Sequence, residues 1–91
     1  MIDGKEIKIE STDSVIHVDV CWGAKNLSYL FVPDQDPPAS HLSNVKIKIV
    51  GGGEFRCLNK FLESITGLKD EIYALTIINN SDAGTLYLRW W

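Results

Sequence analysis

Ninety-one residues make one compact domain, 1–91, with a single modest core and no room for a second. Hydrophobic residues make up 45% and charged residues 23%, which argues against disorder, and no apolar run approaches the roughly 20 residues that cross a bilayer. A formal net charge of −3 at pH 7 repels phosphate backbones, so nucleic acid is not the expected partner and a basic protein is a better fit.

Residues 6–10 alternate polar and apolar side chains, the signature of a half-buried strand with Ile7 and Ile9 inward. Ser11, Thr12 and Asp13 form a turn. Residues 14–22 give the longest predicted strand, with Ile16, Val18, Val20 and Trp22 on one face and Val15, His17, Asp19 and Cys21 on the other. A turn at 23–26 leads into 27–32, an almost continuous apolar run expected to be buried on both sides. These three strands read as an antiparallel meander.

Segment 33–44 is predicted to be an exposed loop. Pro33, Pro37 and Pro38 have no amide to donate to a ladder. The loop carries Asp34 and Asp36, and proline stiffening lowers the entropy lost when such a loop meets a partner. Residues 45–50 form the next strand, with Val45, Ile47 and Ile49 inward and Lys46 and Lys48 outward. Gly51, Gly52 and Gly53 break it, and 54–57 pairs back.

In the last third, Leu58, Phe61, Leu62, Ile65 and Leu68 recur at helical spacing, so a short amphipathic helix is predicted. Asn59 suits its N-cap and Gly67 its left-handed C-terminal residue. Residues 71–79 read as a central strand, and 79–84 as a dense run of turn formers. Residues 85–91 close a hairpin, with Leu86, Leu88 and Trp90 on one face and Tyr87, Arg89 and Trp91 on the other. The expected fold class is α+β. It has an antiparallel or mixed sheet of five to six strands with the helix packed on one face, in the order β-β-β-β-α-β-β.

Catalytic and cofactor motifs are sparse. The triple glycine lacks the lysine and Ser/Thr of a phosphate loop and is followed by Glu54, so a hairpin turn is the reading. His17 and Cys21 lie four residues apart on a strand, about 13 Å, too far to share one metal ion. Cys21 and Cys57 read as small core thiols, and a Cys21–Cys57 disulfide is disfavoured in a reducing compartment. The sequon-like triplets at Asn26 and Asn79 read as turn chemistry. No enzyme, cofactor or metal site is expected.

What remains is surface. Tyr, Trp and Arg dominate binding hot spots because they bury large area and still make polar contacts. The expected partner-binding residues are Tyr73, Tyr87, Arg89 and Trp91, with Leu75 and Ile77 beside them, and Asp34 and Asp36 from the loop. In size and composition the chain resembles bacterial immunity proteins and phage-encoded inhibitors, with no motif carrying the resemblance to particular residues. The first residues, Met1 to Lys5, lack the charged-then-apolar pattern of a secretion signal, so a cytoplasmic setting is expected. The resemblance implies an inhibitor that blocks a toxin, nuclease or other effector by occupancy. The alternative is a structural subunit or homodimer whose sheet edge and terminal tryptophans are buried by identical copies.

Overall fold

The computed structural model describes residues 2–35 and 41–91, apart from the side chain of Cys21. Its named elements are eight strands: β1 (Asp3–Ile9), β2 (Val15–Ala24), β3 (Leu27–Pro33), β4 (Leu42–Ile49), β5 (Glu54–Leu58), β6 (Glu63–Ile65), β7 (Ile72–Ile78) and β8 (Gly84–Trp90). They form two four-stranded sheets, β1-β8-β3-β6 and β2-β7-β4-β5, and every strand-to-strand pairing is antiparallel. This order, with successive strands mostly alternating between the sheets, is that of a jelly roll.

The expected α+β class is therefore corrected to all-β, with no helix among the described residues. The predicted helix dissolves into the end of β5, a corner and β6. Phe61 and Leu62, expected under the sheet, are 47% and 63% exposed. Two backbone bonds decide the matter, because Asn59 N–H donates to His41 O and Lys60 N–H to Phe31 O. Those amides stitch the segment to β3 and to the residue just before β4, and Lys60 takes a positive φ of 57°, which a helix interior does not accommodate. A helix of this length is marginal without a buried stripe, whereas strand pairing satisfies the same backbone.

The meander and the C-terminal hairpin are corrected too. β1 pairs with β8, β2 with β7, and β3 with β8 and β6. β7 and β8 lie in different sheets, so the turn between them crosses the sandwich instead of folding a hairpin. Each strand thereby buries one face against the opposite sheet, about 10 Å away. β4 and β5 are the one consecutive pair that forms a hairpin. Gly51 supplies a φ of 82° in its turn, and Ile49 N–H donates to Gly53 O.

The core is built by alternation, as the sequence pattern requires. Ile7 and Ile9, Val18 and Val20, Val45, Ile47 and Ile49, and Leu86, Leu88 and Trp90 all point between the sheets. β7 is central, flanked by β2 and β4. Segment 33–44 is shorter as a loop than expected, since Pro33 ends β3 and Leu42 begins β4. Asp36 lies outside the described residues.

The four sheet edges are each unsuited to taking up another strand. β1 carries Asp3 and Lys5 opposite Trp90 and Leu88, in the core-facing register, yet both are exposed. β2 loses its register between Asp19 and Ala24. β5 and β6 are five and three residues long. Inward charges, irregularities and short strands are the usual guards of an edge.

Candidate interaction surfaces

The outward side of β1-β8-β3-β6 is built row by row from strand register. Glu6, Tyr87 and Leu30 form one row; Lys8, Thr85 and Val32 the next; Gly4, Arg89, Ser28 and Ser64 the third. Alternation along β8 puts Leu86, Leu88 and Trp90 into the core and leaves Tyr87 and Arg89 outside. Tyr87 sits mid-sheet on an inner strand and is 41% exposed. A groove of about 360 Å³ runs beside it, lined by Lys5, Glu6 and Arg89 among others. Asp34 stands at the end of this face and pairs with Lys8.

The structure thus brings together Tyr87, Arg89 and, at the margin, Asp34. It does not add Tyr73, Leu75 or Ile77. β7 belongs to the other sheet, where Ile72 is buried, Tyr73 exposed, and Leu75 and Ile77 buried again. Its burial phase shifts opposite the break in β2, so Leu75 and Ile77 are core while Tyr73 is not. The Tyr73 hydroxyl donates to the Glu71 carboxylate, and that bond, with the charge of Glu71, raises the phenol above its ordinary pKa. Trp91 is half-buried, and its carbonyl accepts from Lys25 N–H and Asn26 N–H, each at 3.0 Å, and from Asn26 Nδ2 at 2.9 Å. Backbone bonding ties Trp91 to the β2–β3 turn.

Polar groups elsewhere have structural duties. Asn79 is buried, and its Nδ2 donates to the carbonyls of Glu10, Asp13 and Asp82 at 3.2, 3.0 and 2.8 Å. Its Oδ1 accepts from Asp82 N–H at 3.2 Å. Asn26 Oδ1 accepts from Gly67 N–H at 3.0 Å. Both sequon asparagines are thus spent on turns.

Cys57 is a free thiol, 1% exposed. Burial, reinforced by the negative charge of Glu63, pushes its pKa up to about 12. The thiolate is the nucleophilic form, so burial and the raised pKa both disfavour Cys57 as a nucleophile at neutral pH, and His41 is exposed on the surface. Tyr29 donates its hydroxyl to Glu63 at 2.7 Å. Burial first, then that bond, raises the Tyr29 pKa. Among the described residues, no three His, Cys, Asp or Glu side chains gather as metal ligands. Among the same residues, no helix is long and apolar enough to cross a membrane.

Sequence reasoning placed Phe61 and Leu62 in the core, and the structure places both on the surface with Leu42. Leu42 opposes Leu58 in the β4–β5 pairing, three residues before Phe61. The turn formers flanking this stretch were the only local hint. The chain matches no protein family, no curated protein and no solved structure.

Proposed function

We propose that the chain is a non-enzymatic protein-binding module that docks through the open face of β1-β8-β3-β6. It acts by occupancy, in the manner of a small acidic inhibitor or immunity-type protein. One observation carries this reading: Tyr87 is set mid-sheet with Leu30 and Glu6 in its row and Arg89 in the next. A tyrosine fixed on an inner strand loses little entropy on contact, and Tyr with Arg is the pairing on which binding energy concentrates. The jelly-roll plan supports no function by itself. Self-association through a sheet edge, the alternative, is disfavoured by the guarded edges described above. A cytoplasmic setting belongs to the reading, and the free Cys57 is consistent with it.

The test is capture from the native host with the wild-type chain as bait, followed by titration of the purified partner. Tyr87→Ala is expected to weaken that partner by about 2 kcal/mol, roughly thirtyfold, with an unchanged denaturation midpoint. Equal affinity of wild type and variant would remove Tyr87 from the interface and with it the proposal.

A further inference from the structure

The β1–β2, β5–β6 and β7–β8 connections meet at one end of the sandwich, together with Asp34 and His41. Asn79 ties the first to the last, Asp34 N–H donates to Ala83 O, and Asn59 N–H donates to His41 O. Between them lies a cleft of about 630 Å³, with Leu42, Pro33, Asn59 and Asp82 in its walls. That is within the range of small binding pockets. Beside it the chain turns at Lys60, with φ 57°, and presents Phe61 and Leu62 to solvent. Leu42 adds a third large apolar side chain, 63% exposed. Exposed apolar residues gathered at one place mark interaction sites.

Charge identifies the partner. Among the described residues, the connections at this end carry Glu10, Asp13, Asp34 and Asp82, against Lys60 and the neighbouring Lys8 of β1. Four carboxylates stand against two ammonium groups among these residues, an acidic excess of the same sign as that of the whole chain. Asp34 is paired with Lys8, Asp82 accepts from Asn44 N–H and Asp13 from Glu10 N–H. The last two bonds organise the carboxylates without cancelling their charge, so the apolar corner stands in a negative field.

We propose that this end is a second docking surface, and that its occupant is an extended basic segment of another protein. A large apolar side chain of that segment packs at Leu42, Phe61 and Leu62, while a lysine or arginine lies toward Asp82 and Glu10. Opposite potentials set register and on-rate, and the apolar contact supplies affinity. The surface is separate from the Tyr87 face and stands or falls independently of it.

The probe is a library of random peptides displayed on phage and selected on the intact chain, with the best peptide then synthesised and titrated. Enriched peptides are expected to join Lys or Arg to a large apolar residue. Binding is expected to drop about tenfold or more in the Phe61→Ser/Leu62→Ser double variant, to weaken as salt rises, and to be unchanged in Tyr87→Ala. Selection of neutral or acidic peptides, failure to enrich any, or equal binding by the double variant would overturn the proposal. So would loss of binding in Tyr87→Ala, which would move the site to the sheet face. An oligomer seen by sedimentation of the wild type and abolished by the double variant would also overturn it, by making a second copy the occupant.

Discussion

Replacing Asn79 tests the bonding that closes the loop end. Its amide is shared among the carbonyls of Glu10, Asp13 and Asp82, and its carbonyl oxygen accepts from Asp82 N–H. An NH₂ group has two hydrogens, so two of the three carbonyls receive full bonds, and the accepted bond makes three interactions. At about 1 kcal/mol each, Asn79→Ala should cost about 3 kcal/mol, which for a domain of this size is a fall in Tm of roughly 12–24 °C. Asn79→Asp should cost more at neutral pH, because it sets a carboxylate oxygen against carbonyls that had been receiving a donor. Those carbonyls raise the carboxyl pKa in the folded state above its unfolded value, so the folded state binds the proton more tightly. The Asn79→Asp deficit relative to wild type should therefore shrink as pH falls through that raised pKa and persist above it. Urea unfolding followed by the fluorescence of Trp22, Trp90 and Trp91 reads both variants. A loss below about 0.5 kcal/mol for Asn79→Ala, or an aspartate milder than alanine at neutral pH, would show that these bonds do not hold the loops.

Leu75→Ala should cost about 2–5 kcal/mol, since the side chain is fully buried on the central β7. Leu62→Ala should stay within about 0.5 kcal/mol, and a core-sized loss there in the same urea melt would mean that Leu62 packs inward after all. In Gly84→Ala the new Cβ would press on Val32 O and lie 2.7 Å from Pro33 Cα and 2.8 Å from Phe31 Cε1. Two of these atoms are backbone of the paired strand, so a loss of at least about 1–3 kcal/mol is expected, and a neutral melt would contradict the register. In a Cys21→Ser background, iodoacetamide at mildly alkaline pH should label Cys57 only as fast as the fold opens. Prompt labelling of the native chain would contradict both its burial and its raised pKa.

Alternation made parts of this fold legible in advance. Ile7 and Ile9, Val45, Ile47 and Ile49, and Leu86, Leu88 and Trp90 fall inward as their period of two demands, and Tyr87 and Arg89 fall outward with them. The triple glycine marked the β4–β5 turn for the same local reason. Spacing misled at 58–68, where five apolar residues matched a helical stripe by coincidence while Asn59 and Lys60 spent their amides on His41, just before β4, and on Phe31 of β3. Periodicity describes faces and is silent on partners. Nothing local in 71–91 shows that β7 and β8 separate into different sheets, because that choice is made by β2, β4, β1 and β3. Leu75 and Ile77, expected outward beside Tyr73, were misplaced for a related reason: a register break in β2, a neighbour distant in sequence, shifts the burial phase of β7. The loop-end surface was hidden because Phe61 and Leu62 look like core to any rule that counts hydrophobic residues.

The place of β8 has a consequence for the order in which the protein can be made. β8 lies between β1 and β3, and is the only partner that β1 has among the described residues. During synthesis β1 must wait, unpaired, until Gly84–Trp90 has left the ribosome, some seventy-five residues after its own last residue (~75 from Ile9 to Gly84). Closing so long a loop comes late and is entropically costly. Folding is thus expected to be slow, with Ile7, Ile9, Leu27 and Phe31 exposed on the nascent chain until β8 emerges. A ribosome stalled short of β8 would hold a sticky, half-assembled sandwich, a natural client for a chaperone.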